Sequence, residues 1–357
     1  MSHVVHSDRE WTTSLGTSFY DRERELVELV GQVDRPGLLL ILGPRNVGKS
    51  ELLRYFISKE LPKDYVSLII DVRRIITGDL LQAIYYTPHD LLVQYIEDIA
   101  NIVSELVRFP FPIGIVLRKI VETIRKFLKL KKHRILIIFD EFHLLYNNLS
   151  DVLNRIEALA KLVAFYLEYG DLKLVICDSE AWFTTGRAYS RLVGYATNIL
   201  HIDHLDRDIT KLLFEEYRTR KCLNIDFDTV YTIIGGAPGY LIELTSTNDI
   251  EKLVRKLASN LAIALSATAQ ELNINRELLV ELNHKLFQYE KIDSLKESML
   301  YKLAEILVQY NIMCIKISHT IETKPQIPLY KLLIEVMYVH RVSIEDAVNI
   351  SLEMLRR

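Results

Sequence analysis

Cysteine is scarce in this sequence. The chain of 357 residues has three, Cys177, Cys222 and Cys314, scattered without the paired spacing of a metal knuckle or a redox motif. That excludes a disulfide scaffold and makes a reducing compartment the expected setting. Long apolar runs are missing as well. The most apolar loop region, Leu106 to Leu117, is short and broken by Pro110 and Pro112, whereas a membrane-spanning helix needs about 20 apolar residues. No membrane association is expected. The opening segment MSHVVHSDRE is polar and acidic and lacks the apolar run of a secretory leader, so the cytoplasm is the expected location. Nor is there a basic excess: 44 Lys+Arg against 47 Asp+Glu leave a formal net charge of −3. That argues against a protein that coats nucleic acid through bulk charge. The chain contains no internal repeat and no low-complexity tract.

What is present is an ordinary globular balance, 49% hydrophobic and 25% charged. The length suggests two or three domains at about 150 residues each. Residues 1–18 read as a loose arm, and a helix is expected from about Asp21 until Pro36–Gly37. Leu38 to Leu42 is a short apolar run flanked by glycine, the pattern of a strand buried on both faces in a parallel sheet. A Gly-rich turn and a helix over Ser50 to Lys59 follow. Further buried strands are expected at Val66 to Val72, Ile135 to Phe139, Leu172 to Cys177 and Asn198 to Ile202, with helical pattern over 89–130 split by Phe109-Pro110-Phe111-Pro112. Alternating strands and helices imply a five-stranded parallel sheet with right-handed crossovers. After about Leu205 the strand signal stops. Asp208 to Lys221, Phe227 to Ile234, Tyr240 to Leu244 and most of 249–283 read as helices. Residues 284–357 carry further helices around an irregular middle, Ile312 to Pro328. The expected organisation is an α/β core over 1–205, a helical lid over 206–283 and a C-terminal, mostly helical domain over 284–357.

The turn after the first strand reads Gly43-Pro44-Arg45-Asn46-Val47-Gly48-Lys49-Ser50, a full match to G-x-x-x-x-G-K-[ST]. Its glycines let backbone N–H groups curl inward around phosphate oxygens, and the helix that follows, with Glu51 in its first turn, adds a positive N-terminal end. Lys49 is expected on the β- and γ-phosphates and Ser50 on Mg²⁺. A chance match in a turn is the bland reading, and the buried strand before and helix after argue against it.

The second motif, Ile135-Leu136-Ile137-Ile138-Phe139-Asp140-Glu141, ends a buried strand in acid. That places Asp140 and Glu141 at the carboxyl edge of the sheet, beside the phosphate loop. Asp140 is the expected Mg²⁺ ligand and Glu141 the residue that orients or deprotonates the attacking water. Taken alone, Asp140 reads more readily as the N-cap of a following helix; its pairing with the phosphate loop turns the reading to Mg²⁺. No Asn-Lys-x-Asp guanine-reading sequence occurs, so ATP and ADP are the expected nucleotides. A tandem Asp-Glu suits water activation better than phosphoryl transfer to a bound metabolite.

With those motifs in place, the chain resembles the archaeal ATPase family, within the signal-transducing NTPases related to AAA+ proteins. Four stretches carry the resemblance: Phe19-Tyr20-Asp21-Arg22-Glu23-Arg24-Glu25-Leu26, the phosphate loop with its Pro44-Arg45, Asp140-Glu141-Phe142-His143, and Gly235-Gly236-Ala237-Pro238-Gly239-Tyr240. The resemblance implies that the segment Tyr20, Asp21 and Arg22 flanks the adenine and that Pro238 touches the nucleotide from the lid. It further implies that Ser179 is a polar sensor of the γ-phosphate. Ser179 reads equally well as a helix N-cap with Glu180 in the first turn. Two departures from the family pattern stand out. Asp178 replaces a glycine before the sensor serine, where an extra carboxylate would repel phosphate unless it points away. Leu192-Val193-Gly194-Tyr195 lacks an arginine at its last position, with Arg187 and Arg191 as nearby substitutes. Slow hydrolysis by the isolated chain, with a partner or self-assembly supplying an arginine in trans, is the expectation.

The resemblance also implies a C-terminal winged helix, for which Ser294 to Gln309, Leu329 to Val339 and Ser343 to Leu355 are candidate helices. None is strongly basic, so contact with nucleic acid does not follow. The basic run Arg125, Lys126, Lys129, Lys131, Lys132 and Arg134 reads as a solvated helix end rather than a backbone-binding patch. His201, Asp203 and His204 alternate across faces and do not suggest a metal site. An ATP-driven conformational switch is the leading expectation. A DNA-associated ATPase and a signalling or defence module with little turnover remain as alternatives.

Overall fold

The computed structural model describes residues 7–35, 37–86, 99, 101–102, 113–128, 134–145, 172–179, 196–247, 249–288, 291–292, 298–317 and 321–356. The chain opens with an antiparallel hairpin, β1 (Ser7–Thr12) and β2 (Ser18–Tyr20), where a loose arm was expected. The reason is tertiary. Phe19 stacks on Tyr55 at 4.1 Å and Trp11 meets the same ring edge-on at 5.7 Å. The Ser14 N–H and Trp11 Nε1 both donate to the Glu51 carboxylate, at 3.1 and 3.4 Å. None of these partners is near in sequence. Asp21 and Arg22, both at left-handed φ (60° and 82°), then turn the chain into α1 (Glu23–Val33).

The α/β core follows with β3 (Gly37–Gly43), α2 (Lys49–Tyr55), β4 (Tyr65–Asp71), α3 (Val72–Thr77), α4 (Leu80–Ala83), β5 (Ile84–Tyr86), α5 (Ile113–Leu128), β6 (Arg134–Asp140), β7 (Leu172–Ser179) and β8 (Ala196–His201). Every residue of β3 and β7 is buried, as an unbroken apolar run between two helical layers requires. β4 stops one residue before its expected end because Asp71 caps α3, its carboxylate accepting the Arg74 N–H at 3.2 Å. The expected helix to Lys59 is interrupted as well, its last turn over 56–60 being π-helical. Of the helical pattern over 89–130, most of 89–112 and 129–130 lies outside the described residues, as does the Phe109–Pro112 break.

The sheet has six strands, not five, in the order β5-β4-β6-β7-β3-β8. Five are parallel, and β5 adds an antiparallel edge to β4 through Leu68↔Tyr86 and Ile70↔Ile84. Tyr85 and Tyr86 belong to this strand, which is too short to show a period in the sequence. β7 lies between β3 and β6 and therefore separates the strand of the phosphate loop from the strand of the acidic pair. Arg134, the last member of the basic run, is committed to Asp34 (2.5 Å) and Asp64 (2.8 Å).

Beyond the core come α6 (Arg207–Lys221), α7 (Phe227–Ile234), α8 (Tyr240–Thr247), α9 (Ile250–Leu272), α10 (Arg276–Gln288), β9 (Lys291–Ile292), α11 (Ser298–Gln309), β10 (Met313–Ile317), β11 (Ile321–Pro325), α12 (Pro328–His340) and α13 (Ile344–Leu355). The ends of these helices are chemically marked. Asp226 and Asp249 accept N–H groups of the first turns of α7 and α9 at 2.8 Å, and Ser343 does so for α13 at 3.0 Å. Pro328 opens α12. The expectation that strands end at Leu205 is overturned. The stretch read as irregular is the β10–β11 ribbon, which joins β9 in a three-stranded antiparallel sheet. Its strands are short, so two turns of alternation were all the sequence offered.

The segment leaving β8 is held to the helices that follow by backbone contact. The Leu205 N–H donates to the Gly236 carbonyl at 2.9 Å, and a Cβ on Gly236 would stand 2.0 Å from the Leu205 carbonyl oxygen. Gly236→Ala must push these two segments apart and is expected to destabilise the chain by about 1–3 kcal/mol. Urea denaturation followed by circular dichroism checks this, and an unchanged midpoint would contradict the close approach.

Candidate nucleotide-binding site

β3 delivers its chain into the phosphate loop at the carboxyl edge of the sheet. Asn46 and Gly48 adopt left-handed φ of 64° and 98°, the alternation that turns successive N–H groups to one side as an anion-binding nest. Turning the N–H groups inward turns carbonyls outward, and three consecutive ones find donors. The Arg45 carbonyl accepts from Gln326 Nε2 (2.9 Å), that of Asn46 from the Gly239 N–H (2.9 Å), and that of Val47 from Arg22 Nη2 (2.9 Å). The buried Lys49 ammonium donates to the Gly43 and Pro44 carbonyls at 2.7 Å each, which keeps the charge inside the loop's curl.

Ser50, in the first turn of α2, donates its hydroxyl to Asp140 Oδ2 at 2.5 Å. Two hard oxygen ligands side by side at the edge of a phosphate loop fit Mg²⁺. Asp140 is 3% exposed. Burial raises its carboxyl to about 6, the neighbouring Glu141 charge adds to the rise, and the Ser50 hydrogen bond opposes it. A divalent cation there would supply the missing counter-charge. Glu141 is held at a left-handed φ of 58°, its N–H donating to the Cys177 carbonyl at 3.0 Å. Its Oε1 pairs with Arg73 Nη2 at 2.9 Å, while Oε2 is buried without a hydrogen-bond partner.

The extra carboxylate before the sensor position does not confront phosphate. Asp178 is fully buried, and its oxygens accept the His143 N–H (2.8 Å), His143 Nδ1 (2.5 Å) and the Ser179 N–H (2.7 Å). Burial still pushes its carboxyl above the usual range, with the His143 bonds opposing the rise. Glu141, His143 and Asp178 bring ligand-type atoms within 4.8 Å of one another, but His143 and Asp178 are already engaged with each other. Ser179 is buried and pairs in register with Gly43, one strand away from the loop.

A cavity of about 340 Å³ opens over the loop. Its wall includes Asn46 to Glu51 from the loop and α2, Arg73 and Glu141 from the sheet edge, and Pro238, Gly239 and Ile242 from α8 and the turn before it. The hairpin contributes Thr13, Ser14 and Leu15. Tyr20 and Arg22 also line it, and Asp21 is not among the lining residues. Tyr20 donates its hydroxyl to Glu216 at 2.7 Å. Arg22 lines the cavity and also braces the loop: its guanidinium is committed to Glu25, to the Val47 carbonyl and to the Asp203 carbonyl (2.7 Å). Arg45, expected at the nucleotide, is likewise absent from the cavity wall together with Gly43 and Pro44. Glu51 faces the hairpin, as described above.

Sequence reasoning missed Arg73. It stands two residues beyond the end of β4, and a residue just past the carboxyl end of a parallel strand faces the ligand edge; that rule would have flagged it. It also missed the hairpin and Gln326, for which no local signal exists. Arg187, Arg191 and Tyr195 lie outside the described residues.

The raised Asp140 carboxyl has a measurable consequence. It binds its proton more tightly folded than unfolded, so the cost of ionising it is absent below its ordinary value of 3.8 and grows as pH rises towards about 6. The gap corresponds to at most ~3 kcal/mol. With EDTA present, Asp140→Asn is expected to raise the melting temperature near pH 8 by several degrees and to change it little near pH 4. Thermal melts at both pH values check this; a lowered melting temperature near pH 8 would contradict it.

Comparison with known proteins agrees with this geometry. Residues 19–244, more than half of the chain, match the family model described as an ATPase domain predominantly from Archaea. Two uncharacterised ATP-binding proteins of Methanocaldococcus jannaschii are 25% and 22% identical, over 80% of this chain and 85% and 87% of theirs. Among solved structures, the ORC2 protein of Aeropyrum pernix in its ADPNP–ADP complexes aligns over 97% of this chain and 98% of its own at 14% identity, with a TM-score of 0.44. No helix of the described residues is long and apolar enough to cross a membrane. With an α/β sheet, a complete phosphate loop and a buried acidic strand end all falling inside the matched segment, the chain belongs to the family of ATPase domains found predominantly in Archaea.

Proposed function

We propose that the chain is a Mg-ATP-operated conformational switch that hydrolyses ATP slowly on its own. The observation that carries this reading is that a single cavity is walled by the phosphate loop, by Glu141 and by the lid residues Pro238, Gly239 and Ile242. A nucleotide there would touch core and lid together, so its binding energy can bias how the two sit. In this reading the core spans 1–205, the lid 206–283, and a winged-helix-like block 284–357 carries the change outward. One helix of that block favours a protein contact over nucleic acid: α13 has Glu345, Asp346 and Glu353 and no basic residue.

The roles follow from placement. Backbone N–H groups of the loop and Lys49 hold the phosphates of ATP or ADP. Ser50 and Asp140 hold Mg²⁺, which offsets phosphate charge. Glu141 orients the attacking water and takes its proton. Ser179 acts at one remove as a sensor, through β7 and its pairing with Gly43. Arg73 is the cation closest to Glu141 among the described residues, and it ties up the carboxylate that hydrolysis needs. That tie supports slow basal turnover, with an arginine from a partner or a second copy completing the site.

Lys49→Ala removes the buried cation held inside the loop's curl and is expected to weaken ATP binding at least tenfold, about 1.4 kcal/mol, by calorimetry. Glu141→Gln should retain Mg-ATP and slow single-turnover hydrolysis by ~10² or more; normal turnover would remove Glu141 from the chemistry. Arg73→Ala is expected to raise the single-turnover rate of dilute protein several-fold by freeing Glu141. A fall by ~10³ would instead make Arg73 the stabilising cation in cis and remove the case for an activating partner.

A further inference from the structure

The C-terminal ribbon ends on the back of the phosphate loop. Gln326, directly after β11, is 2% exposed. Its Nε2 donates to the Arg45 carbonyl at 2.9 Å and its Oε1 accepts the Cys314 thiol at 3.0 Å. The Arg45 carbonyl can only accept, so it fixes which end of the amide faces the loop. The main chain of Gln326 is held too: its N–H donates to the Ile312 carbonyl at 2.9 Å, and its carbonyl accepts from His204 Nε2 at 2.9 Å. Two residues earlier, within β11, Lys324 pairs with Asp203, whose carbonyl is bonded by the same Arg22 nitrogen that braces Val47. Partial burial pushes the Asp203 carboxyl up, but bonds from His204 and Lys324 outweigh it and hold it well below the usual range.

We infer that Gln326 is a positioning residue for nucleotide binding: it clamps the outward carbonyl of Arg45 and so couples phosphate binding in the loop to docking of the β10–β11 ribbon. This rests on the ATP-switch reading above. A nest binds phosphate only when its N–H groups point inward, and a carbonyl pinned from outside keeps the peptide so turned. The docked ribbon thus favours the phosphate-binding form of the loop. By reciprocity, phosphate in the loop favours the docked ribbon, by the same factor. Neither end of the coupling needs the ribbon to touch nucleotide.

The test uses the full chain with Mg-ATP. Calorimetry gives affinity, and hydrogen exchange gives protection over residues 312–327 and 43–50. In the wild type, ATP is expected to raise protection in both segments. Gln326→Leu, which keeps the volume and loses the donor, is expected to bind ATP about tenfold more weakly. At saturating ATP it should gain protection over 43–50 and none over 312–327, a split that a merely structural role would not produce. Unchanged affinity in Gln326→Leu, or retained ATP-dependent protection over 312–327, overturns the coupling while leaving the switch reading intact. A wild type that binds no Mg-ATP overturns both. If Gln326→Leu fails to fold, Lys324→Ala carries the test from the exposed side of the same ribbon: a reduced ATP-dependent gain over 312–327 supports the coupling, and an unchanged gain overturns it.

Discussion

A phosphate loop has to turn its N–H groups towards the ligand, and the rest of this structure is arranged around what that does to the carbonyls. Peptide planarity sends them the opposite way, into protein rather than water, where an unpaired carbonyl is costly. Three parts of the chain meet that need at adjacent positions. Arg22 from the entry to α1 serves Val47, the turn before α8 serves Asn46 through the Gly239 N–H, and the β10–β11 ribbon serves Arg45 through Gln326. That turn comes close enough that a Cβ on Gly239 would stand 2.8 Å from the Asn46 Cβ. The loop is therefore the joint at which α1, the α8 turn and the ribbon are fastened.

The second constraint is negative charge. Asp140, Glu141 and Asp178 crowd the ends of β6 and β7, close to where phosphates would sit. Each is managed differently. Asp140 is buried against Ser50 and suited to a divalent cation. Glu141 is drawn to Arg73. Asp178 is turned onto His143 and its own neighbour's N–H. The departure from the family pattern at position 178 is thus absorbed by a histidine one strand over. The Asp-Glu-Phe-His order at the end of β6 carries its own compensation for the carboxylate at the end of β7.

The N-terminal hairpin shows how a segment without local structure signals gains one. Residues 7–20 have little to hold them as an isolated two-stranded ribbon, which is marginal in water. Tyr55 offers one ring to both Trp11 and Phe19, and Glu51 and Glu216 take up the N–H groups of Ser14 and Ser18. Since α2 starts at the phosphate loop, the hairpin is seated on the same element that bears Lys49 and Ser50, and it forms one wall of the cavity.

The amino-acid sequence by itself determined the elements whose physics is local. An unbroken apolar run makes β3 and β6 central strands, the glycines and Lys49-Ser50 make the loop, and Asp140-Glu141 fall at a strand end because the run stops there. The helices from Arg207 to Gln288 follow from their own periodicity and caps. The tertiary structure alone decided what those elements face. β7 inserts between β3 and β6, a three-residue edge strand completes the sheet, and a ribbon forms where only short alternation existed, because strand pairing is settled by partners distant in the chain. For the same reason the Arg22 guanidinium, which lines the cavity, also braces the Val47 carbonyl, and the Arg45 carbonyl is held by Gln326. Gln326 carries no pattern at all; its role exists only because folding brings it within hydrogen-bond reach of a carbonyl 281 positions earlier.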